Sequence, residues 1–164
     1  MKLYVGITSR SWIDGLLEQS EPEEVNFWRP GTRNGFAALR PGEFFLFKLH
    51  APDSCIVGGA RFRRFLSLSI DTAWAKFGPR NGVHSLEEMR QRVAEHRRES
   101  TVSTDDHIGC IVLGELFVWP TELWMQLPVV WPPNIVQGRS FEVESEEGER
   151  IWKAVVSRAP KLAG

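Results

Sequence analysis

With 164 residues and a formal net charge of −1, this chain has the length of one domain and lacks the basic excess of a protein that coats nucleic acid by charge alone. Its two cysteines form no CxxC pair, which excludes a zinc ribbon or a disulfide-stapled scaffold, and its longest apolar run, Ile108 to Pro120, is broken by Glu115 and too short to span a membrane. Seven Trp and ten Phe exceed what a core of this size requires, leaving aromatic faces for stacking.

Lys2 to Ile7 reads as a short strand entered directly, without a leader pattern. The hydroxyls of Thr8, Ser9 and Ser11 can cap a helix carrying Trp12, Ile13, Leu16 and Leu17 on one face, and its free N–H groups can hold a phosphate or a base edge. An acidic loop, Glu18 to Glu24, follows. From Val25 to Phe62 the chain reads as one wall of a small barrel. The segment Asn26-Phe27-Trp28-Arg29-Pro30-Gly31-Thr32-Arg33-Asn34 combines two large rings, two guanidiniums and amides, and cannot be helical at Pro30. Such a mixture suits a flat anionic ligand, a nucleotide above all, although Phe27 and Trp28 also suit a core at a strand end. Arg40-Pro41-Gly42-Glu43 is a tight turn. Phe44–Leu49 and Cys55–Phe62 then form a hairpin with a five-residue connection. If the second strand continues, Arg61 and Arg63 share a face, either as a row of phosphate contacts or as a solvated barrel exterior. Between Arg29 and Arg64 seven basic residues oppose only Glu43 and Asp53, a basic face on a neutral chain.

Ser69 caps a helix bearing Trp74 and Phe77, ended by Gly78-Pro79 and a loop at Arg80-Asn81-Gly82. Ser85-Leu86-Glu87-Glu88 is a capping box, opening a helix with Leu86, Met89 and Val93 inward and an arginine-rich solvated face. Glu99 to Asp106 reads as a mobile loop, and Ile108 to Trp119 as the long central strand. Pro128, Pro132 and Pro133, with Trp124 and Trp131, frame a stiff extended segment leading to Asn134 and Gln137, whose amides can read a base edge or tie their own turn. Arg139 to Val143 closes the sheet. Ser145 caps a last helix with Ile151, Trp152, Val155 and Val156 inward, and residues 159–164 read as a frayed tail or the start of a linker.

The order of strand, short helix, Asn26-Phe27-Trp28, the Arg40-Pro41-Gly42-Glu43 turn, an aromatic strand and the strand Ile56-Val57-Gly58-Gly59 resembles the N-terminal domain of bacterial HNH restriction endonucleases directed at modified DNA. Met1-Lys2-Leu3-Tyr4-Val5-Gly6, Trp74 with Phe77-Gly78, Asn81-Gly82 and Asn134-Ile135-Val136-Gln137-Gly138 extend the likeness over nearly the whole chain. That domain is similar to the PUA-like superfamily, which includes the SRA and EVE readers of modified bases. The resemblance implies an α+β fold, a twisted PUA/SRA-like β-barrel flanked by several helices, over a single domain of residues 1–158.

It also implies base flipping: a modified cytosine, 5-methylcytosine first, leaves duplex DNA, stacks in an aromatic pocket and is read at its edge. The expected pocket residues are Ser9, Trp12, Asn26, Phe27, Trp28, Trp131, Asn134 and Gln137. Arg10, Arg29, Arg33, Lys48, His50, Arg61, Arg63, Arg80 and Arg139 are expected to hold the DNA backbone. An RNA-binding or modified-RNA-reading module is the alternative. No catalytic residue, metal or cofactor is expected, since His50, His84, His96 and His107 lack HNH spacing. Any nuclease would be a separate or fused HNH partner, and the expected setting is the cytoplasm, beside the nucleoid and without a membrane.

Overall fold

The computed structural model describes residues 1–32, 35–103 and 105–163. Its strands are β1 (Lys2–Thr8), β2 (Glu24–Arg29), β3 (Phe44–Leu49), β4 (Cys55–Ser69), β5 (His107–Val118), β6 (Met125–Gln126) and β7 (Gly138–Glu142). Its helices are α1 (Arg10–Leu17), α2 (Ile70–Phe77), α3 (Leu86–Arg97) and α4 (Glu146–Arg158). The seven strands form one sheet in the order β2-β5-β4-β3-β1-β7, with β6 added to β4. All pairs are antiparallel except β1 with β3.

Hydrophobic alternation explains how one sheet serves two cores. In β1, Leu3 and Val5 face an outer core beneath α4, together with Phe44, Leu46, Ile151 and Val155, whereas Tyr4 packs on the inner core with Phe45, Phe47 and Trp12. Because β3 is buried on both faces, its run FFLFKL shows no alternation. Each buried Phe contributes roughly 1.5–3 kcal/mol by leaving water. A third cluster seats α2 and α3 on the sheet through Ile70, Ala73, Met89, Val93 and Ile108.

The sheet curls because β4, 15 residues long, shifts register against β5 between Gly59 and Arg61 and again between Phe62 and Arg64. Gly58 and Gly59 lie where neighbouring backbone closes in: a Cβ on Gly58 would sit 2.2 Å from the Phe117 carbonyl oxygen. The turn at 40–43 forms as expected, with Gly42 at φ +93° and the Glu43 N–H donating to the Arg40 carbonyl at 3.0 Å. All four helices start where the hydroxyls predict, Ser9, Ser69, Ser85 and Ser145 each accepting a first-turn backbone N–H. Leu17 departs from the expected stripe, lying 58% exposed while Trp12, Ile13 and Leu16 are buried. After α4 the chain makes a 3-10 turn over Pro160–Ala163, with Ala159 buried and Leu162 packed on the outer core. Among the described residues, no helix is long and apolar enough to cross a membrane.

Candidate functional site

The two ends of the sheet path, β2 and β7, meet no further strand among the described residues, and a cavity of about 300 Å³ occupies the seam between them. One side is β2 with Phe27, Trp28 and Arg29, continued by Pro30; the other is β1 and the approach to β7, with Tyr4, Thr8 and Gln137. Ser9 and Trp12 of the α1 turn, His50 beyond β3, and Arg92 and His96 of α3 complete the wall. The volume falls at the lower end of ordinary small-ligand sites, roughly 300–1,000 Å³. Its lining holds four potential cations, Arg29, Arg92, His50 and His96, and no Asp or Glu.

Local chemistry fixes the walls. Trp12 stands edge-on to Phe27 and Phe47 at centroid distances of 5.1 and 5.3 Å. Behind it Gly82, at φ +75°, leaves space only because it lacks a side chain: a Cβ there would lie 2.1 Å from Trp12 Cδ1. Trp28 donates its indole N–H to the Asn81 carbonyl at 3.1 Å and meets the His96 ring edge-on at 5.5 Å. His96 Nδ1 bonds the Arg92 carbonyl at 2.8 Å, so in the neutral ring Nδ1 carries the proton and Nε2 is the free acceptor. Gln137 is positioned through its backbone carbonyl, which accepts from the Ile7 N–H at 2.9 Å and leaves the side-chain amide exposed. Tyr4 packs on Phe36 and Phe45; burial pushes its hydroxyl above the usual tyrosine range, and the nearby Arg29 charge partly opposes this.

Arg29 is the least compensated charge of the site. It is half-buried, its Nη2 donates to the Gly35 carbonyl, its buried Nε has no acceptor, and no carboxylate lies within salt-bridge distance among the described residues. Phe36 and Phe65 flank its guanidinium at 5.9 and 5.6 Å. Arg92, by contrast, donates to Glu88 at 2.8 Å and to Ser11 at 3.0 Å.

Of the expected pocket residues, Ser9, Trp12, Phe27, Trp28 and Gln137 line this cavity and three do not. Asn26 is fully buried and donates through Nδ2 to Asn81 Oδ1 at 2.9 Å; Asn81 in turn donates to the carbonyls of Ala73 and Gly78. Its amide is therefore a bracket between β2 and the turn after α2. Cys110, whose thiol burial pushes up to about 11, lies beside it. Trp131 packs on the outer core over Lys48, and Asn134 is exposed outside the cavity wall.

The expected backbone contacts change more. Arg29 and His50 line the cavity instead of an outer face. Arg61 and Arg63 do share a face, but both grip the single carboxylate of Glu115, at 2.9 and 3.5 Å, so the charge of the row is partly offset internally. Arg139 is paired with Glu147 at 2.7 Å, and Arg80 is consumed by the carbonyls of Glu24, Lys76 and Phe77. Arg10 remains exposed beside Asp53 and over Trp124. Lys48 is only 5% exposed, with Nζ donating to the Leu49 carbonyl at 3.3 Å and burial pushing its ammonium below the usual lysine range. It therefore cannot reach a nucleic-acid backbone from where it stands. Arg33 lies outside the described residues. The arginine face of α3, expected to be solvated, is instead engaged: Arg90 pairs with Asp71, and Arg97 donates to the Pro30 carbonyl.

Tyr4, Thr8, Arg92 and His96 belong to the wall without having been expected there. For Tyr4 and Thr8 a signal existed. They alternate with Leu3, Val5 and Ile7, so together with Lys2 the polar residues of the strand fall on one face. Nothing local marks Arg92 or His96, because their place depends on how α3 crosses β2.

Comparison with solved structures bears on the architecture. The crystal structure of ASCH from Zymomonas mobilis superposes with a TM-score of 0.59 at 11% identity, over 92% of this chain and 94% of that one. A tyrosine-to-phenylalanine variant of ZmASCH gives 0.60 over 93% and 98%, and a serine-to-alanine variant 0.53 over 92% and 94%, both at 11% identity. The chain shares its fold with these ASCH structures. The expected barrel with flanking helices is thus present, and the likeness found is to ASCH structures, not specifically to the SRA or HNH-linked type. At this identity the likeness establishes the fold alone. No protein-family model matches the chain, and no curated protein matches it in sequence.

Proposed function

We propose that this chain is a nucleic-acid-binding module that takes a single base into the cavity at the barrel seam. The observation that carries the reading is the lining: aromatic walls from Trp12, Phe27, Trp28 and Tyr4, a carboxamide at Gln137, and basic side chains without one acid. Aromatic faces bind bases by stacking, the amide reads an edge, and the cations favour an anionic strand. A PUA-like barrel supplies the rigid frame, since the cavity is built largely from strand residues, the start of α1 and the last turns of α3.

The specific form of the reading is a modified cytosine flipped out of duplex DNA, as in the SRA and HNH-linked readers that the sequence resembles. Small modifications would then be sensed by apolar contact, each worth roughly 1–3 kcal/mol. A second form, capture from single-stranded RNA or DNA, is favoured by one observation: Arg61, Arg63, Arg80 and Arg139 are tied up internally, which weakens any clamp on a duplex backbone. Both forms are binding without chemistry. Among the described residues no three His, Cys, Asp or Glu side chains converge as a metal site requires.

The experiment is fluorescence polarisation of the purified chain against matched duplexes carrying cytosine, 5-methylcytosine or 5-hydroxymethylcytosine, and against single-stranded DNA and RNA, at two salt concentrations. Gln137→Glu is the informative variant, because it alters an exposed side chain at the rim. The reading expects binding to at least one of these ligands and about a tenfold loss in the variant, the equivalent of 1.4 kcal/mol. No binding at low salt, or equal binding by the variant, contradicts it.

A further inference from the structure

The distribution of charge inside the cavity bears on what part of a nucleic acid enters it. An internal nucleotide swung out of its strand brings a neutral base into a pocket and leaves its phosphates at the mouth. A cavity built only for that would have no use for an uncompensated guanidinium in its wall, since a partly desolvated charge without a partner is costly. Here Arg29 is such a charge. One of its N–H groups is spent on Gly35, Nε is buried without an acceptor, Nη1 has no acceptor among the described residues, and two rings screen the guanidinium from solvent. The same cavity wall carries His96 with Nε2 uncommitted, and Arg92 only partly neutralised by Glu88. Trp28, the neighbour of Arg29 in β2, packs on the opposite face of the strand against His96, and both residues reach the wall of the same cavity.

Building on the base-capture reading, we propose that the ligand carries a phosphate inside the cavity, paired with Arg29 and flanked by His96 and Arg92, so that the site reads a phosphorylated nucleotide at a strand end. An internal diester does not replace this phosphate, because it has one charge fewer and two ester links that would have to lead out through the wall. Arg is suited to this role because its planar fork meets phosphate oxygens in pairs. A free nucleoside monophosphate presents the same chemistry, and the assay must separate it from a strand end.

Polarisation with short single strands answers this, using 5′-phosphate, 3′-phosphate and hydroxyl ends, with a closed circle of the same sequence as an unlabelled competitor. One phosphorylated end should bind about tenfold more tightly than its hydroxyl counterpart, and the circle should compete no better than the hydroxyl strand. Arg29→Gln should remove the preference for phosphate, so that in this variant phosphorylated and hydroxyl strands bind with equal affinity. His96→Gln, at an exposed position, should reduce the preference about threefold and stands in if Arg29→Gln fails to fold. Equal binding of phosphorylated and hydroxyl ends, or full competition by the circle, overturns the inference while leaving base capture intact. Binding of a nucleoside monophosphate with no binding of any strand supports the phosphate site and overturns the strand-reading function.

Discussion

Replacing Asn81 with Ala tests whether the Asn26 amide is a structural bracket or a reader of bases. The Asn81 side chain accepts from Asn26 Nδ2 at 2.9 Å and donates to the Ala73 and Gly78 carbonyls at 3.2 and 2.8 Å, and both asparagines are 0% exposed. Truncation leaves the Asn26 N–H buried without its partner and takes the side-chain donor from the Ala73 and Gly78 carbonyls, the orphaned amide alone costing about 1–3 kcal/mol. A loss near 3 kcal/mol is therefore expected, lowering Tm by roughly 6–12 °C for a domain of this size. Asn26→Ala should cost a comparable amount. The double variant should be less destabilised than the sum by about 1–2 kcal/mol, since one orphan disappears with its partner. Calorimetry or urea titration of the four proteins gives the cycle. If Asn26→Ala keeps the wild-type Tm and instead changes ligand preference, or if the two losses simply add, the bracket is wrong and Asn26 belongs with the reading residues.

Other consequences can be checked separately. Lys48→Met removes, at nearly constant volume, a buried ammonium that has no carboxylate partner among the described residues, so Tm should hold or rise and nucleic-acid affinity should stay the same; weaker binding at unchanged Tm would restore Lys48 as a backbone contact. Gly82→Ala forces a Cβ to within 2.1 Å of Trp12 at φ +75°, and should cost about 1–3 kcal/mol in a urea titration and shift indole emission; a silent variant would show that Trp12 is not held there. His84 bonds Glu18 at 2.8 Å and lies 3.2 Å from Glu88, which hold its imidazolium above the usual histidine range, the Glu18 hydrogen bond most of all. Its contribution to stability is then complete below the unfolded value, about 6.5, and is lost as pH rises through the raised folded value. A proton NMR titration should show the raised midpoint falling in Glu18→Gln, and an unmoved midpoint would refute the pairing.

How far the sequence discloses the fold depends on the length over which each signal acts. Helix starts are local, so Ser9, Ser69, Ser85 and Ser145 announce them correctly. The β3–β4 hairpin is equally legible, because its turn and its aromatic run lie side by side. The parallel pairing of β1 with β3 is not, since nothing in residues 2–8 names a partner some forty positions away. The site divides the same way. Trp12, Phe27, Trp28 and Gln137 are visible as unusual residue types in short loops and strand ends, and they converge. Arg61 and Arg63 are visible as a basic row, but the carboxylate they share, Glu115, comes from β5 through a register shift that no local pattern records. Asn26 misleads for a physical reason: an amide beside two aromatic rings has the same composition whether it faces a base or a buried turn, and only the packing of Asn81 against β2 decides.

The most direct test of the account is an NMR footprint of the isotope-labelled chain with the oligonucleotide that binds best. The shifts that move should be those of the Trp12 and Trp28 indoles, the Arg29 guanidinium and the Gln137 amide, all in the wall of one cavity. A footprint confined to Arg10, Arg61, Arg63 and Arg139, with the cavity resonances unmoved, would contradict it and return nucleic-acid binding to the outer face of the barrel.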